Sequence, residues 1–241
     1  MSTVCFAQEK QRHHNPEHHF SFELPEGWEA IPENDLPNRD RELLKDTFEK
    51  ETVALCQKIG AEYFTTPYIL VQFFGNGEIN EFELDKLLVS NVGKSIMLKS
   101  REEMIQRLQK AEGCLPNPWK GAERINVEVD YDKDRHISFE TAKLYHNNVG
   151  HIISTSVKLL GSHRMVALQC YADGEDAEGF LDLVDEVVDS FAYDEGYGFG
   201  EGEGVAPGLT KKLLGRGIWS WIWPILAISV FFWLLGRWAK S

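Results

Sequence analysis

Cysteine is scarce in this chain: four in 241 residues, at Cys5, Cys56, Cys114 and Cys170. No CxxC pair and no zinc-ligand spacing occurs among them, which excludes a disulfide-dense scaffold and a zinc ribbon. The expected state is buried free thiol. Base is also short. Residues 1–210 hold 20 basic and 38 acidic groups, a net charge of −18. Such a surface repels phosphates, so a nucleic-acid partner is disfavoured. Catalytic signatures are missing too: there is no GxSxG and no motif-flanked cysteine. No catalytic residue and no cofactor follows from these patterns. Long apolar runs are absent except for one, which excludes a polytopic membrane protein.

That one run is the strongest signal present. Ile218 to Leu235 carries no charge and is broken only by Ser220, Pro224 and Ser229. As a helix it would be about 27 Å long, close to a bilayer core. Trp219, Trp221 and Trp223 stand at one end, Trp233 and Trp238 at the other. Lys211, Lys212 and Arg216 precede it, and Arg237 and Lys240 follow. Aromatic belts and snorkelling bases at both ends predict a C-terminal transmembrane anchor over 213–241. The slight basic excess before the run places the soluble domain in the cytoplasm. A competing signal lies in Val4-Cys5-Phe6-Ala7-Gln8, which reads like the end of a signal peptide. On that alternative the domain is exported.

Residues 1–19 are polar and read as a loose segment. A globular domain is expected over 20–192. Phe20-Ser21-Phe22-Glu23-Leu24 alternates as a strand, Pro25-Glu26-Gly27 turns, and Trp28–Ile31 starts another strand. Leu44, Phe48, Thr52, Leu55 and Ile59 recur at helical spacing, which predicts a helix from Asp40 to Ile59. Tyr68–Phe74 reads as a buried strand. Leu84, Leu87, Leu88, Asn91 and Val92 form a helical stripe, and Ser100-Arg101-Glu102-Glu103 resembles a capping box for a further helix closed by Gly113. From Ile125 to Tyr171, alternating runs separated by turn residues predict a four-stranded antiparallel meander. A last helix is expected from near Asp176 to Phe191. Residues 193–212 are glycine-rich and acidic and read as a flexible linker, spanning roughly 25 Å as a coil.

Strands, helices, strands, helix give an α+β class: an antiparallel sheet with helices packed on its faces. The opening Phe20-Ser21-Phe22-Glu23-Leu24-Pro25-Glu26-Gly27-Trp28 and the closing Val187-Val188-Asp189-Ser190-Phe191 resemble the first hairpin and last helix of PsbP-like domains. The resemblance covers about residues 20–195. It implies an α/β/α sandwich used for binding, and it carries no catalytic residues.

Three clusters invite chemistry. His13, His14, His18 and His19 are of metal-ligating type, but Pro16 breaks any helix that would align them, so a solvated segment is expected. Asp130, Asp132 and Asp134 begin like a calcium loop. Arg135 stands where glycine is needed and Thr141 where glutamate is, so a polar hairpin turn is expected. The glycines from Gly196 to Gly204 mimic GxGxxG, but a helix precedes them and acids interleave, against a phosphate loop. The functional expectation is a single-pass, membrane-anchored binding domain for a protein or small ligand. The alternative is a membrane-anchored enzyme with a site built from distant residues.

Overall fold

Residues 51–58 settle how the first half of the domain is laid down. In the computed structural model, which describes residues 11–47, 51–74, 80–110 and 121–201, helix α1 covers only Asn38–Thr47. Glu51–Lys58, expected in the same helix, form strand β4, and Phe48 lies outside the described residues. Both faces of β4 are covered, so its apolar residues do not alternate. A bulge between Thr52 and Ala54 breaks the period further, leaving a spacing that imitates a helix.

A seven-stranded sheet forms the centre, in the order β3-β4-β5-β9-β8-β7-β6, with every neighbouring pair antiparallel. Its strands are β3 (Trp28–Pro32), β4, β5 (Tyr68–Phe74), β6 (Glu123–Asp132), β7 (Ile137–His146), β8 (Gly150–Gly161) and β9 (Arg164–Asp173). The last four are the expected meander. A small second sheet joins β1 (Arg12–Asn15), β2 (Phe20–Glu23) and β10 (Ala192–Tyr193). The expected opening hairpin is therefore divided: β2 pairs with β1 and β10, while β3 pairs with β4. The segment expected to be loose supplies β1.

One face of the large sheet is closed by the small sheet and by α4 (Phe180–Ser190). Phe20, Phe22, Val184 and Val187 pack there on Cys56, Val71, Leu168 and Cys170 as one continuous apolar cluster. α4 begins at Gly179, in left-handed conformation at φ 74°, after a 3-10 turn over Gly174–Ala177, rather than at Asp176. The other face carries α1, α2 (Glu81–Val89) and α3 (Asn91–Lys110). Its apolar contacts form two clusters. Leu44 and Ile105 pack on Leu55, Leu70 and Leu144; Leu88 and Met97 pack on Leu160 and Met165.

α3 begins ten residues earlier than the capping-box pattern at Ser100 predicts. Ser90 is the true cap, its Oγ accepting the Gly93 N–H at 3.0 Å. The corner between α2 and α3 is tight enough that a Cβ on Gly93 would lie 1.9 Å from the Leu87 carbonyl oxygen. The fold is α+β with helices on both faces of an antiparallel sheet. Gly113 and Cys114, Cys5 and the run 213–241 lie outside the described residues. Among the described residues, no helix is long and apolar enough to cross a membrane.

Candidate functional site

The four clustered histidines do not act as one group. His13 and His14 alternate along β1 and so point to opposite sides. His13 packs on Phe22, ring centroids 5.1 Å apart, and burial, then the neighbouring His14, hold its pKa below the ordinary imidazole value. His18 is buried and stacks on Phe73 at 4.1 Å. His14 Nε2 and His19 Nδ1 instead meet one carboxylate oxygen, Asp194 Oδ2, at 3.3 and 3.4 Å. Among the described residues, no group of three His, Cys, Asp or Glu side chains is arranged to hold a metal.

Asp194 belongs to a strap, although its glycines and acids predict a linker from residue 193 on. Residues 192–201 lie against the domain. Tyr193 Oη donates to the Leu159 carbonyl at 2.7 Å and accepts the Val166 N–H at 3.1 Å. Tyr197 stacks on His19 at 3.7 Å, with the Arg164 guanidinium 4.3 Å from its ring centre. Phe199 stacks on His136 at 3.5 Å. The Gly196 and Gly198 N–H groups, which a phosphate loop would offer to its ligand, both donate to Glu201 Oε2, at 3.2 and 3.1 Å. The remaining glycines of that pattern, from 202 on, lie outside the described residues.

The acidic turn is the expected hairpin connection. Asp132 Oδ1 accepts the N–H groups of Asp134 and Arg135 at 3.0 and 3.1 Å, closing the β6–β7 corner. Thr141, at the would-be last ligand position, faces Thr155 across the β7–β8 ladder. Cys56 and Cys170 are free and fully buried on the α4 side of the sheet. Burial pushes the Cys56 thiol up to about 12 and raises Cys170 likewise. A thiol so raised supplies almost no nucleophilic thiolate near neutrality.

Between the two apolar clusters on the helix-covered face runs a buried polar belt. Gln72, Gln169, Ser156, Ser138 and Glu140 are all at most 2% exposed. Register places Thr52 beside Gln72 and Gln169 beside Ser156, with Glu140 next along. Glu140 forms an ion pair with Lys158, and the buried Arg101 of α3 donates to Ser154 Oγ. Burial lowers the Arg101 pKa, against the opposing pull of Tyr171 and Glu140. Gln72's amide, Thr52 Oγ1 and Ser138 Oγ have no hydrogen-bond partner among the described residues. The one signal in sequence was a glutamine inside each of two otherwise apolar runs, Tyr68–Phe74 and Met165–Tyr171.

Two openings stand out among the described residues. One, of about 290 Å³, has Ile153 and Ala177 on its floor, beside the strand backbone at Leu144 and Ile152, and is rimmed by Lys143, His151, Glu175 and Glu178. The other, of about 300 Å³, runs from Ile137 and Leu160 past Val188 to Tyr193 and Phe199. The second is as polar as it is apolar, with Arg135 and Asp189 in its lining, whereas the first is an apolar trough with charged edges. That form suits an apolar ligand or peptide side chain fixed by a few polar groups.

No family model matches the chain, and no curated protein does. Among solved structures, it is similar to the solution structure of cyanobacterial PsbP (CyanoP) from Synechocystis sp. PCC 6803. The identity is 12%, the match covers 80% of this chain and 98% of that one, and the TM-score is 0.46. It is also similar to the crystal structure of LpqN, involved in cell envelope biogenesis of Mycobacterium tuberculosis: 10% identity, 78% and 87% coverage, TM-score 0.36. A PsbP structure is thus among the solved folds this chain resembles, as the opening and closing segments implied. At such identity the likeness assigns no residue a role.

Proposed function

We propose that the chain is a single-pass, membrane-tethered binding domain that performs no chemistry of its own. The carrying observation is the uncharged run Ile218–Leu235, with tryptophans and bases at both ends, joined to a folded α+β domain. The candidate nucleophiles and bases support the reading. Both described cysteines are sealed in the core with raised pKa. His13 and His18 are packed on aromatic rings, and His14 and His19 on Asp194. The trough over Ile153 and Ala177 is the proposed ligand site. A photo-crosslinking residue in place of the exposed His151, in native membranes, should give a discrete adduct that Ile153→Glu abolishes. Labelling of bulk lipid alone would refute that site.

The slight basic excess before the run supports a cytoplasmic domain. The second reading, an exported domain, is favoured by Val4-Cys5-Phe6-Ala7-Gln8. Protease added to intact cells separates them: protection of the stretch 202–212 supports the cytoplasm, and cleavage there supports export.

A further inference from the structure

The corner of α2 and α3 carries exposed apolar side chains where a soluble surface would carry polar ones. Val92 is 64% exposed and Ile96, one turn on, 51%. Leu87 and Val89, just before the corner, are exposed as well. These residues share their surface with mostly basic side chains. From Lys86 to Arg101 the chain has four basic residues and no acid, and Lys86, Lys94 and Lys99 are exposed. In a chain with 38 acidic residues, this stretch stands apart. Exposed acid flanks the stretch at Glu83 and at Glu103, the latter 4.0 Å from Lys99. Apolar side chains framed by lysines are the composition of a surface that lies in a membrane interface.

The position of the chain's exit adds a second, independent argument. Phe199 packs edge-on against Phe82 at the start of α2, with ring centroids 5.1 Å apart, and a side chain on Gly200 would lie 3.5 Å from that same ring. The chain therefore leaves the domain beside α2. Sixteen residues, 202–217, lie between this point and the apolar run. We propose that the α2–α3 corner, through Val89, Val92 and Ile96 with Lys86, Lys94 and Lys99, docks on an anionic lipid surface, orienting the tethered domain against the bilayer. The inference rests on the tether proposed above, which keeps the corner at high local concentration near lipid, so that weak contact suffices.

The test uses the full chain with Ile96→Cys carrying an environment-sensitive NBD label, and with Cys5 and Cys114 replaced by serine. The same label at Ile59, an exposed apolar residue at the end of β4, is the control. In liposomes of phosphatidylcholine with phosphatidylglycerol, the label at 96 should shift to the blue and be quenched by brominated lipid chains, while the label at 59 should not. Lys94→Glu and Lys99→Glu should each weaken the docked fraction roughly fivefold. Water-like emission at 96 while the chain resists carbonate extraction overturns the docking inference alone. An equal response at 59, or a shift that follows protein concentration rather than lipid and so marks a second copy, also overturns it. Should carbonate extract the chain, the tether reading fails; liposomes are then added to the extracted chain, and the label at 96 decides the docking surface by the same criteria.

Discussion

Replacing Tyr193 by phenylalanine isolates the claim that residues 192–201 are a structural strap. The substitution removes one oxygen and keeps the ring. That oxygen stands between two backbone groups of neighbouring strands, donating to the Leu159 carbonyl at 2.7 Å and accepting the Val166 N–H at 3.1 Å. Val166 is fully buried and Leu159 only 4% exposed, so neither group gains full access to water. Leu159 and Val166 are register partners, so without the hydroxyl their two groups can close on each other, and the expected cost is that of the lost bridge, about 1–1.5 kcal/mol. For a domain of this size that lowers the melting temperature by roughly 2–5 °C. Gly161→Ala attacks the same contact from the other side, because its Cβ would sit 2.7 Å from both the Tyr193 ring and the Tyr197 carbonyl oxygen. Circular dichroism of the full chain in detergent reads the melting temperature, and amide hydrogen exchange reads Val166. Unchanged melting for both variants, with unaltered protection of Val166, would refute the strap and return residues 192–201 to the linker.

The remaining predictions concern side chains already placed. His13 is held with a lowered pKa by burial and by His14, so the unfolded chain binds its proton more readily. Its contribution to stability is complete above the unfolded value of about 6.5 and is lost as pH falls through the folded one. His13→Phe should flatten the decline of stability below pH 6.5, measured by denaturant titration at several pH values; an unchanged slope contradicts the packing on Phe22. Cys56 and Cys170 should resist alkylation in the native chain and react once it is unfolded, as mass spectrometry reads. Rapid native labelling of either would show that the sheet core is open.

The parts legible in sequence were those whose burial is one-sided or whose turns are marked. The meander from β6 to β9 could be read because Asp132–Arg135, Asn147–Gly150 and Gly161–His163 punctuate long runs. β4 could not. Its two buried faces and its bulge erase the period of two, and the same residues fall at helical spacing. β1 and the strap were lost for a different reason. Arg12–Asn15 and Asp194–Glu201 are polar or glycine-rich, and they are held by stacking of His18, His19 and His136 on Phe73, Tyr197 and Phe199, which no local pattern announces. The buried belt of Gln72, Gln169 and Glu140 was masked similarly, since each residue alone reads as an exposed position on a strand.

Fractionation of the full chain and of a variant lacking 213–241, with alkaline carbonate washing of the membranes, tests the tether on which the functional reading depends. The account predicts that the full chain stays in the carbonate-washed pellet. The shortened chain, which retains every described residue, should be released to the supernatant with its melting transition intact. Recovery of the full chain in the carbonate supernatant, soluble without detergent, would contradict the account.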